Sequence, residues 1–318
     1  MRRIQIYILL VFLIAGCADS FNGELIYVKP DPGDAFHYPY FLYLPEQVVQ
    51  NQETFIVVEP NNSGFVDDDL QKHIDKAKRT ATRSFYLGNY VAQNLKISLL
   101  VPVFPRRKSE WKIYTHALDR DAIIQKDNTL ARIDNQLIEM FTDARLKLEE
   151  KNIPTREQFL LTGFSASGTF ANRFTLMHPD KVFAVAAGGL NGLLMLPTDS
   201  LKGLDLKYPL GTSDFKDLFN EDFQMNLFMK TPQFYFMGEL DDNDAVPYDD
   251  AFDSEEREII YQLVGEEMLP RRWNYCGEIY SDNGVNVKLK TYKETGHDQT
   301  EKVKEEVTNY FKGIINNQ

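Results

Sequence analysis

The chain has 318 residues, 43% of them hydrophobic and 13% aromatic, with 18 Gly, 14 Pro and no internal repeat, which excludes intrinsic disorder for the body of the protein and allows a substantial core. Its 35 basic against 47 acidic residues give a formal net charge of −12, and no basic stripe offsets it, which argues against a nucleic-acid partner.

At the start of the chain Arg2 and Arg3 precede an apolar run over residues 6–15 that closes on Leu13-Ile14-Ala15-Gly16-Cys17. A basic stretch, a short apolar stretch and small residues before a cleavage point describe an export signal. The run falls short of the ~20 residues that a membrane-spanning helix needs. Leu-Ile-Ala-Gly-Cys resembles the bacterial lipoprotein box. That resemblance implies a signal peptide over 1–16, a lipid anchor on Cys17, a tether over 17–23 and a location on the cell-envelope membrane. An ordinary signal peptide with an incidental Cys, or a short anchor, is the other reading. Cys276 is the one cysteine left and cannot form an internal disulfide. Its setting, Trp273-Asn274-Tyr275-Cys276-Gly277, offers no base, so a packed structural thiol is expected.

Beyond the tether, alternation predicts strands over 25–29 and 38–44, a hairpin around the turn-rich Pro30-Asp31-Pro32-Gly33-Asp34. The apolar run Thr54-Phe55-Ile56-Val57-Val58-Glu59 reads as a strand buried on both faces, as do residues 95–103. Three aspartates open a helix expected over 67–93. Leu130, Ile133, Leu137, Met140, Ala144 and Leu148 recur at helical spacing and predict an amphipathic helix over about 129–149. A strand over 158–162, a helix running to His178 and a strand over 182–187 follow. After them come strands over 233–237 and 285–292, with helices over about 254–265 and 300–315. This alternation places the chain in the α/β class, a mostly parallel sheet with helices on both faces, as one domain over 24–318. Residues 189–229 carry no long periodic segment. They read as an insertion that is either a lid or a long surface connection.

The chemistry centres on Gly163-Phe164-Ser165-Ala166-Ser167-Gly168, which follows the 158–162 strand and opens a helix. A serine hydroxyl becomes a nucleophile only with a base to take its proton and donors to hold the resulting oxyanion. Small residues suit a tight turn in which backbone approaches backbone, although Ser167 stands where the usual pattern has Gly. His297 lies in a Gly-His loop between the last strand and the last helix, whereas His37 and His73 precede the turn, His116 falls in a polar loop and His178 ends the following helix. For the acid, Phe234-Tyr235-Phe236-Met237-Gly238 and the acidic run after it resemble a hydrolase pattern in which Gly is followed three residues later by the acid and then by Val-Pro; Asp241 fits the spacing from Gly238 and Asp244 the spacing to Val246-Pro247. Asp241 is favoured for its reach from the strand end, and the choice stays open. The acidic run lacks the order of a calcium loop, and no metal is expected.

Ser165, then Asp241, then His297 is the chain order of the α/β-hydrolase superfamily, which this sequence resembles over roughly residues 25–315. The resemblance implies acyl transfer without a cofactor. It also implies an oxyanion hole made by the N–H of Ala166 and one from the loop after the 54–59 strand. Where many relatives carry His-Gly-Gly, this chain reads Glu59-Pro60-Asn61-Asn62-Ser63-Gly64. Pro60 has no N–H, so Asn61 is the expected donor, with Asn62 second. The helix ending in His178-Pro179-Asp180 and the late Gly-His loop are similar to extracellular polyester depolymerases and feruloyl or acetyl-xylan esterases. That similarity implies a small-molecule or polymer-derived ester substrate. A serine peptidase of the same fold and a non-catalytic surface-binding lipoprotein are the alternatives.

Overall fold

Tyr40, Leu42 and Leu44 join one hydrophobic cluster and Phe41 and Tyr43 the other, and all five are buried. Leu99, Leu100 and Val101, and Phe159, Leu160 and Leu161, divide between the same two clusters. Strands apolar on both sides need cover on both, and that requirement sets the layering. The structure is a computed structural model and describes residues 22–317 apart from 32, 34, 35, 62 and 63. Cys17 and the signal peptide expected over 1–16 therefore lie outside the described residues, as does Asn62.

The strands in chain order are β1 (Glu24–Val28), β2 (Tyr40–Leu44), β3 (Ile56–Val58), β4 (Ser98–Pro102), β5 (Phe159–Phe164), β6 (Val182–Gly188), the small hairpin of β7 (Ser200–Leu201) and β8 (Leu204–Asp205), β9 (Gln233–Gly238) and β10 (Val287–Tyr292). Eight of them form one sheet in the order β1-β2-β4-β3-β5-β6-β9-β10. β2 is antiparallel to both neighbours, and the other pairings are parallel. The helices are α1 (Leu70–Thr82), α2 (Leu87–Leu95), α3 (Arg120–Ile123), α4 (Ile133–Glu149), α5 (Ala166–Met177), α6 (Phe215–Phe219), α7 (Met225–Lys230), α8 (Ser254–Leu263), α9 (Trp273–Asp282) and α10 (Glu301–Asn316). α1, α2 and α10 cover one face through Ala77, Val91, Val307 and Phe311, while α4, α5 and α9 cover the other through Leu137, Met140, Phe170, Phe174 and Tyr280. The polypeptide leaves β3, β4, β5, β6, β9 and β10 at one edge of the sheet, where the loops that follow them gather.

The short elements α3, β7, β8, α6 and α7 were not expected, and three longer stretches also differ from expectation. The helix expected over 67–93 is two, with Thr80, Thr82 and Ser84 near the break. Their hydroxyls compete with helical hydrogen bonding, and Asn89 Nδ2 closes the end of α1 by donating to Ala81 O at 2.7 Å. Leu95 ends α2 instead of opening β4. α9 was not expected at all, although Trp273, Cys276, Ile279 and Tyr280, its buried residues, stand at helical spacing. Pro270 and Gly277 mask that periodicity.

Residues 191–197 of the insertion are buried, from Asn191 to the edge of β7. Asn172 of α5 anchors them: its Oδ1 accepts from Met195 N at 2.8 Å and its Nδ2 donates to Tyr280 Oη at 2.9 Å. The rest of the insertion is tied down as well: Phe228 of α7 packs on Tyr280 with ring centroids 5.9 Å apart, and the buried Tyr208 donates its hydroxyl to Leu118 O. Among the described residues no helix is long and apolar enough to cross a membrane.

Candidate active site

β5 ends on Phe164, and the chain reverses into α5 within a single residue. That residue is Ser165, with φ 63° and ψ −130°, a conformation that costs a residue bearing a side chain on the order of 1–3 kcal/mol. The turn is locked from both sides. Ser165 N donates to Gly188 O of β6 at 3.0 Å. The Ser167 hydroxyl accepts from Phe164 N and donates to Phe164 O, each at 2.9 Å. Ser167, at the position where the pattern has glycine, is thus a clamp across the turn, and it is fully buried. The close approach of helix to sheet falls one residue later: a Cβ on Gly168 would stand 2.4 Å from Gly188 O. Ser165 occupies the N-cap position yet makes no capping hydrogen bond with its side chain, so its hydroxyl is not consumed by the helix.

The loops after β9 and β10 are stitched together. Glu239 N donates to Tyr292 O at 2.9 Å and Leu240 N to Thr295 O at 2.8 Å. Gly238 has to be glycine for this contact, since a Cβ there would lie 2.2 Å from Gly296 O. The result is that Asp241, its side chain 1% exposed, receives His297 Nδ1 at 3.0 Å on Oδ1 and 2.9 Å on Oδ2. Asp241 Oδ1 also accepts from Asn243 N at 3.0 Å. With Nδ1–H directed at Asp241, Nε2 is left as the acceptor, and Asn243 Nδ2 meets it at 3.3 Å. The His297 ring packs on that of Phe164, centroids 4.7 Å apart, beside Ser165. Among the described residues the Ser165 hydroxyl is not hydrogen-bonded to His297, and both residues are half-buried. Asp244 is engaged elsewhere: it pairs with the buried guanidinium of Arg272 at 2.9 and 3.1 Å and accepts from Val246 N.

Ala166 N–H is the first amide of α5, one of those a helix leaves without an internal partner. Asn61 follows β3, the strand next to β5, and is 1% exposed. The segment leading to it is fastened by Glu59, whose backbone N donates to Leu100 O at 3.1 Å and whose Oε2 accepts from Gly88 N of α2 at 2.7 Å. Burial pushes the Glu59 carboxyl up to about 8, against the opposing pull of the Gly88 hydrogen bond and Lys76. The folded chain therefore holds this proton more tightly than the unfolded chain, and stability falls as pH rises from the ordinary carboxylate range to about 8. Asp119 and Glu256, each raised to about 7 by burial, act in the same direction below that pH. Glu59→Gln is expected to flatten the decline between pH 7 and 8, where a single such proton contributes up to about 1.4 kcal/mol per pH unit. Urea midpoints measured across that range for both proteins test this, and an unchanged slope would refute it.

The chain matches no protein-family model and no curated protein by sequence. Solved structures do resemble it. Poly(aspartic acid) hydrolase-1 from Sphingomonas sp. KT-1 superposes with a TM-score of 0.55 at 14% identity, over 92% of this chain and 96% of the other. An S-formylglutathione hydrolase from Agrobacterium tumefaciens gives 0.52 at 10% identity, over 93% and 96%. An arylesterase gives 0.50 at 14% identity, over 93% and 85%. The likeness is one of fold, and it agrees with the mostly parallel eight-stranded sheet. The chain has the α/β-hydrolase fold.

Within that fold three of the four remaining histidines have structural surroundings. His73 Nε2 meets Asp67 O at 2.9 Å, and His178 Nε2 meets Asp134 Oδ2 at 2.8 Å. His116, expected in a polar loop, is buried in a single helical turn with Nε2 at 2.7 Å from Phe104 O. Cys276 is buried, and its burial pushes the thiol up to about 12. Among the described residues no group of His, Cys, Asp and Glu is arranged to hold a metal ion. Sequence reasoning missed Asn243, Glu59 and the clamp on Ser167. Only Ser167 left a sign, as a small polar residue in a glycine position.

Proposed function

We propose that the protein is a serine hydrolase that cleaves carboxylic esters through an acyl-enzyme on Ser165. The observation that carries this reading is the strained backbone of Ser165 beside the ring of a histidine whose other nitrogen is held by a buried carboxylate. His297 Nε2 takes the Ser165 proton as Oγ bonds to the acyl carbon. The Ala166 and Asn61 amides hold the charge that develops on the acyl oxygen. The ester C–O bond breaks, and the alcohol leaves with the proton from His297. Water, deprotonated by the same Nε2, then releases the acid and restores Ser165. Asp241 keeps Nδ1 protonated and stabilises the imidazolium while it exists.

Ester substrates, small or polymer-derived, are the class this chemistry favours, and the solved structures of similar fold include an arylesterase and a hydrolase of S-formylglutathione. A series of p-nitrophenyl esters of graded acyl length, run beside peptidyl p-nitroanilides, tests the assignment. Turnover of the anilides alone would make the protein a peptidase, and turnover of neither would remove the enzyme reading. The leader ahead of Cys17 supports export and a lipid anchor on that residue. Metabolic labelling with palmitate should mark the full chain and be lost in Cys17→Ser; equal labelling would exclude the anchor.

A further inference from the structure

We infer that the side-chain amide of Asn61, in addition to its backbone N–H, donates to the acyl oxygen during the reaction. This rests on the ester-hydrolase reading above and assigns a further catalytic residue to the same site. Asn61 is 1% exposed, and among the described residues neither its Nδ2 nor its Oδ1 has a hydrogen-bond partner. Folded proteins satisfy nearly all buried polar side chains, and an amide with both ends unpaired calls for a group that arrives later.

Its place in the sheet indicates which group. β3 and β5 are parallel neighbours with Val58 paired to Leu161. β3 ends at Val58, and the loop that holds Asn61 three residues further on leaves the sheet at the same edge as Phe164, the last residue of β5, immediately before Ser165. The acyl oxygen of an ester bound to Ser165 has to lie near the first amide of α5, on the serine side of this loop. The amide is also held in place. Pro60 restricts its own φ and the conformation of Glu59. Glu59 in turn is tied to Leu100 O through its backbone and to Gly88 N through its carboxyl. Donors fixed before the reaction act on kcat, because the charge they meet is larger in the transition state than in the bound ester.

The test uses p-nitrophenyl acetate, whose acyl group carries no polar atom besides the carbonyl. Asn61→Ala and Asn61→Asp both keep the backbone N–H at 61 and remove the side-chain donor. Each should lower kcat about 10²- to 10³-fold with KM changed less than about 3-fold. Asn61→Asp preserves the shape of the side chain and carries the test if the alanine variant does not fold. Unfolding midpoints measured in parallel separate a structural role, which would move the midpoint and leave kcat per folded molecule unchanged. Unchanged kcat, or a rise in KM alone, would overturn the proposal and leave the ester-hydrolase reading standing so long as the wild type turns over and Ser165→Ala does not. A wild type without turnover would overturn both.

Discussion

Ser165→Ala is expected to lower kcat for ester hydrolysis by about 10⁵- to 10⁶-fold while leaving the stability of the protein within about 0.5 kcal/mol. On the proposed mechanism the loss is large because the hydroxyl, the base and the orienting carboxylate act as one unit, so removing the nucleophile also idles the other two. The small stability effect follows from the surroundings of the side chain. Ser165 makes no capping hydrogen bond, and its backbone is held by Ser165 N to Gly188 O, which alanine retains. The strain at φ 63° belongs to any residue with a Cβ, so alanine inherits it. Ser165→Gly should relieve it and raise the unfolding free energy by about 1 kcal/mol, in a protein equally inactive. Rates on p-nitrophenyl esters together with urea unfolding of the three proteins check both halves. Residual turnover near the wild-type rate in Ser165→Ala would place the nucleophile elsewhere.

Asp241→Asn and Asp244→Asn are expected to fail in opposite ways. An asparagine at 241 can present its NH₂ to Nδ1 and so select the histidine tautomer that carries its proton on Nε2, which cannot take a proton from Ser165. The expected cost is about 10⁴ in kcat, with little change in stability. Asp244 lies only three residues away but serves Arg272, whose side chain is 0% exposed. Removing its charge leaves a buried guanidinium with only carbonyl partners at Gly265, Gly192 and Glu266. That should destabilise the fold by about 3–5 kcal/mol, while the molecules that remain folded keep their kcat. Activity normalised to folded protein, measured beside the unfolding midpoint, distinguishes the two. A kcat lost in Asp244→Asn and kept in Asp241→Asn would reverse the assignment.

Much of the fold was legible in the chain because buried strands announce themselves as short runs of apolar β-branched residues and covering helices by their spacing. The elements that escaped were those too short to show a period, such as β7, β8 and α6, and α9, whose periodicity is broken by a residue that makes its packing possible. Gly277 interrupts the pattern of α9, yet a Cβ there would meet Leu289 Cδ1 at 2.4 Å. Ser167 looked like a departure from a pattern because its hydrogen bonds to Phe164 exist only once the turn has closed.

The sequence by itself determined the residue types available for chemistry, their chain order Ser165, Asp241, His297, and the strand-turn-helix setting of the first. These are local properties, written in neighbouring residues and in hydrophobic period. The tertiary structure alone decided which aspartate meets His297, because that contact joins residues 56 apart in sequence and depends on the parallel pairing of β9 with β10 and the close passage at Gly238. It alone decided as well that Asn61 would be sealed in with its amide unpaired and that Glu59 would lose contact with water. Burial is set by what packs around a group, and the residues that pack around these two come from strands and helices distant in the chain.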